Sequence, residues 1–164
     1  MPKKWRTKIC NCPDIKPHEY DFKTHIWRSK TFLSMGLPLV FHMPLGIGGV
    51  IEGALNEVKK RGYVFDESRH MLIQKDGLFW GAIMVEVDNP NIEDKELVKI
   101  ENAELISKSH IGQFNTIINS FKDLETYVKR RGKKIEAVYF WYTTCPRCTP
   151  NWNKYKTVIF AQVI

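Results

Sequence analysis

The sequence predicts an α+β domain in which a strand-helix-strand-strand unit is used twice, giving an antiparallel-rich sheet with two helices on one face and a ligand groove on the other. Three observations predict it. The stretch "VKKRG" at Val58–Gly62 returns as "VKRRG" at Val128–Gly132, 70 residues later (128 less 58). Each copy closes a segment whose apolar residues recur at helical spacing. Each is flanked by one extended run before it and two after it. A unit that cannot bury its own apolar face must share a core with its twin.

Residues 1–30, with Pro13 and Pro17 among alternating polar and aromatic residues, do not fit the repeat and are expected to form an N-terminal extension wrapping the domain. Repeat one is expected over 31–88. It begins with the extended run Thr31–Met43, continues with a helix carrying the stripe Ile47, Val50, Ile51, Ala54, Leu55 and Val58, and stops at Gly62, where a left-handed cap is expected. Two strand-like runs follow, His70–Lys75 and Leu78–Asp88, joined by the hairpin dipeptide Asp76-Gly77. The linker 89–101 opens on turn residues and carries mainly acids, as a surface connector does. Repeat two is expected over 102–164. Its strand Asn102–Gly112 leads to a helix with Phe114, Ile117, Ile118, Phe121, Leu124 and Val128 on one side, capped at Gly132, and then to the strands Ile135–Thr144 and Lys156–Ile164.

At 164 residues and 43% hydrophobic, the chain can bury one good core, so a single domain is the expectation. It lacks the apolar run of a signal peptide or a membrane span and is expected to be cytoplasmic with no membrane partner. The net charge of +7 invites a nucleic-acid surface. Two of the three basic runs, however, close predicted helices, where the last carbonyls and the helix dipole favour cations. That placement argues against a nucleic-acid partner. A protein partner or a second copy of the chain is left open.

The order of motifs in the second half resembles the GyrI-like small-molecule-binding domains, found alone or as effector domains of multidrug-sensing activators. The resemblance rests on "SHIGQF" (Ser109–Phe114) at a strand-to-helix turn, "YVKRRGKK" (Tyr127–Lys134) closing an amphipathic helix, "AVYFWY" (Ala137–Tyr142) ending an aromatic strand, and the closing strand "TVIFAQVI" (Thr157–Ile164). It covers residues 100 to 164 well and 31 to 88 more loosely. It implies the same duplicated unit, with a groove that takes flat, often cationic aromatic compounds, and in some relatives the hydrolysis of reactive cyclopropane-containing ones. The family's glutamate two residues before the strand tyrosine is here Phe140, ahead of Tyr142. Glu86, in the matching strand of the first half, replaces it if it faces the groove; a solvent-facing glutamate on an alternating strand is an equal reading.

Alternation along Ile135–Thr143 puts Tyr139 and Trp141 on one face and Phe140 and Tyr142 on the other. Parity with the family implies that Phe140 and Tyr142 line the groove, joined by Phe79 or Trp80 from the first half; all four as core is the plainer alternative. His42 and His110 hold equivalent places, and His110 with Glu86 are the acid-base candidates if turnover occurs, although a junction role fits the histidines better. The glycines of "PLGIGGVIEG" (Pro44–Gly53) match neither nucleotide-binding pattern and suit close packing.

Cys145-Pro-Arg-Cys148 has zinc-knuckle spacing but no helix running on to activate a thiol, and Cys10 and Cys12 could complete a tetrahedral zinc site, with His18 or His25 as alternative ligands. Free thiols and disulfides are the competing readings. The functional expectation is a stand-alone protein binding a hydrophobic or aromatic, in the family often cationic, small molecule, leaning away from an enzyme. The alternatives are a hydrolase on the same fold and a zinc-stabilised nucleic-acid or protein adaptor.

Overall fold

The structure, a computed structural model, describes residues 12–40, 43–44, 47–65, 70–75, 79–88, 90–144 and 149–164. Strand β1 (Lys23–Val40) and the short β2 (Met43–Pro44) precede helix α1 (Ile47–Lys60), β3 (Met71–Lys75) and β4 (Trp80–Glu86). Then β5 (Leu97–Ile111), α2 (Ile117–Arg130), β6 (Ile135–Tyr142) and β7 (Lys156–Val163) repeat the order. The predicted α+β class and duplicated unit are what the chain adopts. The Asp76-Gly77 turn and His42 lie outside the described residues.

All pairings are antiparallel. Six strands close on themselves in the order β1-β4-β3-β6-β7-β5, with β5 returning to β1, and β2 extends the free end of β1. The two halves meet where like strands pair: β1 with β5 from Lys23↔Ser107 to Leu33↔Leu97, and β3 with β6 at Leu72↔Trp141, Ile73↔Phe140 and Gln74↔Tyr139. This is the pseudo-twofold arrangement that a repeated unit needs to hide both apolar faces at once.

Two strands run longer than the repeat suggests. Strand β1 starts at Lys23 rather than Thr31, and β5 at Leu97 rather than Asn102. The added residues pair with the other repeat rather than within their own, and exposed Lys23, Thr24, Arg28, Lys99 and Glu101 disguise them as connector. Asn102 takes a left-handed φ of 48° opposite Arg28. Alternation resets there, so Trp27 on one side and Phe32 on the other, with Ile100 and Ala103 across the ladder, all reach the same cluster.

Helix α1 buries Ala54 and Val58 against Leu33, Ile83 and Val85, and α2 buries Ile117, Leu124 and Val128 against Ile106, Phe140 and Ile159. Both helices stop as their sequences require: Gly62 and Gly132 adopt φ of 73° and 70°, and the amides of Tyr63 and Lys133 return to the carbonyls of Val58 and Val128. The face of the sheet away from the helices carries the third and most aromatic cluster. Residues 12–22 form a strap over part of it, with Ile15 buried in the cluster and Tyr20 packed against it. No helix among the described residues is long and apolar enough to cross a membrane.

Candidate functional site

The helix-free face gathers side chains from every strand of the ring. Trp27 from β1, Tyr139 and Trp141 from β6 and Phe160 from β7 surround His70, which stands just before β3; the His70 ring lies 5.2 Å from Trp27, 4.6 Å from Trp141 and 5.8 Å from Phe160, centre to centre. Alternation explains the selection. On β4, Ala82, Met84 and Glu86 point to this face while Ile83 and Val85 point to α1, and on β7 Val158 and Phe160 point here while Ile159 and Ala161 point to α2.

Glu86 is the charged centre of the cluster. Its Oε2 accepts from the backbone amide of His70 at 2.9 Å and from His70 Nδ1 at 2.8 Å, and its Oε1 accepts from Lys30 Nζ. A carboxylate only accepts, so Nδ1 carries the proton and His70 Nε2 is turned away from the pair. Burial pushes the Glu86 carboxyl up, but the hydrogen bonds from His70 and Lys30 outweigh it and hold the group at about 2. Lys30 Nζ also lies 5.4 Å from the centre of the Trp27 ring, a cation-π approach that keeps the ammonium over the aromatic floor.

A second histidine occupies the strap side. His25 stacks on Tyr20 at 5.7 Å and meets Phe160 edge-on at 5.5 Å. Ser107 Oγ donates to the carbonyl of Tyr20 at 2.7 Å and therefore accepts from His25 Nε2, also at 2.7 Å. The serine proton is thus committed to a carbonyl, so this pair is no nucleophile and base. Burial, and after it the nearby His70, push the His25 imidazole below its ordinary value.

The strap is fastened at both of its described ends. Lys156 Nζ donates to the carbonyl of Ile15 at 3.1 Å. Asp21 Oδ1 accepts from Lys108 Nζ, from the Ser109 amide and from Ser109 Oγ at 2.9, 3.2 and 2.6 Å. Under it the aromatic face is closed: Trp27 and Trp141 are each 6% exposed. Two clefts among the described residues open to solvent against α2, one of about 300 Å³ lined by Phe22, Asp123, Thr126, Tyr127 and Arg130.

The family model described as bacterial hydrolase matches residues 1–163. The chain belongs to the bacterial hydrolase family. Solved structures share the fold. The C-terminal domain of EcmrR superposes with a TM-score of 0.70 at 14% identity, covering 88% of this chain and 98% of that one. A hydrolase encoded by lin2189 from Listeria innocua gives 0.61 at 14% identity over 88% and 92%. SAV2435 bound to tetraphenylphosphonium gives 0.53 at 9% identity over 88% and 94%. Identities this low speak for the fold alone. No curated protein matches the chain.

In this bacterial hydrolase family member, the residues singled out from sequence divide between the two faces. Glu86 is on the aromatic face. Phe140 and Tyr142 are not, and the expectation that they line the groove is corrected: both pack in the α2 cluster, where burial pushes the Tyr142 hydroxyl up to about 12. Alternation pairs the four as expected, but it is Tyr139 and Trp141 that join the aromatic cluster while Phe140 and Tyr142 meet α2, the reverse of what parity with the family implied. Trp80 shares the face of Glu86 by alternation but stands six residues along β4, about 20 Å away at ~3.3 Å per residue, and is 67% exposed; Phe79 beside it is also exposed.

His110 is a junction residue on the helix side. Its Nε2 donates toward the carbonyl of Gln113 at 3.1 Å and its Nδ1 meets Ser120 Oγ at 2.8 Å, pinning the start of α2. Of the predicted metal ligands, Cys10, Cys145 and Cys148 lie outside the described residues; Cys12 is half-buried at the head of the strap. No group of three or more His, Cys, Asp or Glu placed to hold a metal occurs among the described residues. The sequence reading missed Trp27, Lys30, His70 and Phe160. Only Trp27 and Lys30 carried a signal, as a tryptophan and a cation in a segment taken for irregular extension.

Proposed function

We propose that the chain is a GyrI-like protein that binds a flat, apolar or aromatic small molecule on the helix-free face, between its two halves. One observation carries this reading: the rings of Trp27, His70, Trp141 and Phe160 are grouped around a buried carboxylate on the face that neither helix covers. A core needs no ionised group at its centre, and burying one is costly unless it is paired. Rings with exchangeable packing partners are what a flat ligand stacks against. Likeness in fold to the EcmrR domain and to SAV2435 with its bound cation supports the reading. Binding on this face displaces Ile15 and Tyr20, so the strap moves with the ligand.

Titrating the tryptophan fluorescence with neutral and charged aromatic dyes tests it. Saturable quenching that is lost in Trp141→Leu is expected. An unresponsive signal across the whole panel overturns it.

A second reading is favoured by the Glu86–His70 pair. A carboxylate that fixes Nδ1–H leaves Nε2 as a base facing the aromatic rings, the arrangement a hydrolase uses to take a proton from water while the resulting hydroxide attacks an electrophilic carbon and its leaving group departs. Membership of the bacterial hydrolase family agrees with this. Turnover of a strained or activated aryl substrate should fall at least 100-fold in His70→Gln; no turnover in the wild type removes this reading and leaves the first standing.

A further inference from the structure

The charge at the centre of the aromatic face sets the sign of the ligand. A bare carboxylate beneath a ring of aromatics would select a cation. Here Glu86 is already met by Lys30 Nζ on Oε1 and by two N–H groups of His70 on Oε2. The Lys30 and Glu86 side chains are 22% and 5% exposed, so their charges cancel within a largely dry site rather than being screened by water. Of the two members, Lys30 is the nearer to solvent and sits over the Trp27 ring, so an arriving molecule meets the ammonium before the carboxylate. The other histidine facing the cluster, His25, is already bonded to Ser107, and the hydroxyls of Tyr20 and Tyr139 bring no charge. A lipophilic cation placed here would lose its water and gain no countercharge.

We propose that the site takes neutral or anionic aromatic molecules and rejects lipophilic cations, with Lys30 as the residue that decides between them. This rests on the reading of the aromatic face as a binding site. It separates the chain from SAV2435, which has been seen bound to tetraphenylphosphonium. The same pairing makes the sign of the preferred ligand sensitive to one substitution, since Lys30→Met removes the ammonium that meets Oε1 of Glu86.

Tetraphenylphosphonium and tetraphenylborate have nearly the same shape and opposite charge, so the test compares their affinities by calorimetry in the wild type, Lys30→Met and Lys30→Arg. The wild type is expected to bind the borate at least tenfold more tightly than the phosphonium. Lys30→Met should shift that ratio at least tenfold toward the phosphonium, and Lys30→Arg should preserve it. A wild type that binds the phosphonium as tightly as the borate overturns the proposal. So does an unchanged ratio in Lys30→Met, which is what a basic surface elsewhere on the molecule would produce. Failure of both ions to bind overturns the binding reading as well.

Discussion

His70 holds Glu86 twice through one oxygen, with the backbone amide at 2.9 Å and Nδ1 at 2.8 Å, while Lys30 takes the other oxygen. Replacing the carboxylate with an amide strands the Lys30 ammonium over Trp27 and puts an N–H where Nδ1–H or the ammonium now donates. Breaking a buried pair costs about 3–5 kcal/mol, and the partial exposure of Lys30 puts Glu86→Gln near the lower end, about 3 kcal/mol. A urea midpoint shifted by less than ~1 kcal/mol at unchanged slope would show that the pair contributes little.

Stability should fall in two stages on acidification. The imidazole of His25 is displaced below 6.5, so the unfolded chain accepts a proton that the folded one resists, and stability declines as pH falls below 6.5. The Glu86 carboxyl is lowered from 4.5 to about 2, so its stabilisation is complete above 4.5 and is lost as pH falls from there toward 2. Thermal melts across pH should lose the first stage in His25→Asn and the second in Glu86→Gln. Melts in Glu86→Gln that keep the full acid slope would exclude this carboxylate as its source.

Thr157 is fully buried in β7, and its hydroxyl has no hydrogen-bond partner among the described residues. An unsatisfied buried polar group costs about 1–3 kcal/mol, and valine keeps the shape and the strand preference. Thr157→Val is therefore expected to stabilise the protein by about 1 kcal/mol, raising the melting temperature by ~2–4 °C for a chain of this size. An unchanged or lower melting temperature would mean that the hydroxyl has a partner in solution.

One structural zinc per chain is one of three readings that the cysteine spacings allow, beside free thiols and disulfides. Lys156 reaches the carbonyl of Ile15 through its ammonium and Thr144 Oγ1 through its amide. Elemental analysis of untagged protein separates zinc from the other two readings: a zinc site gives about one zinc, which Cys12→Ala releases with a loss of stability of several kcal/mol. Protein that is metal-free yet fully stable would rule the site out.

The halves of the fold were legible because they rest on local physics. Helical periodicity, the glycines at 62 and 132 and the order of strands depend on neighbours a few residues apart, and duplication let each half check the other. The face of β6 was not legible. Alternation separates Tyr139 and Trp141 from Phe140 and Tyr142, but which pair meets α2 is decided by packing across the sheet, and it is Phe140 and Tyr142. The first eight residues of β1 were missed for a related reason, since their partner lies in the other repeat and their exposed side is charged.

What the sequence determined by itself was the duplicated α+β unit and the presence of one acid, Glu86, on a strand of alternating pattern. Only the tertiary structure decided which aromatics surround that acid, that Lys30 neutralises it and that His70 holds it. Strand register and ring closure are agreements between distant segments, and a shift of one residue in either turns every side chain beyond it to the opposite face.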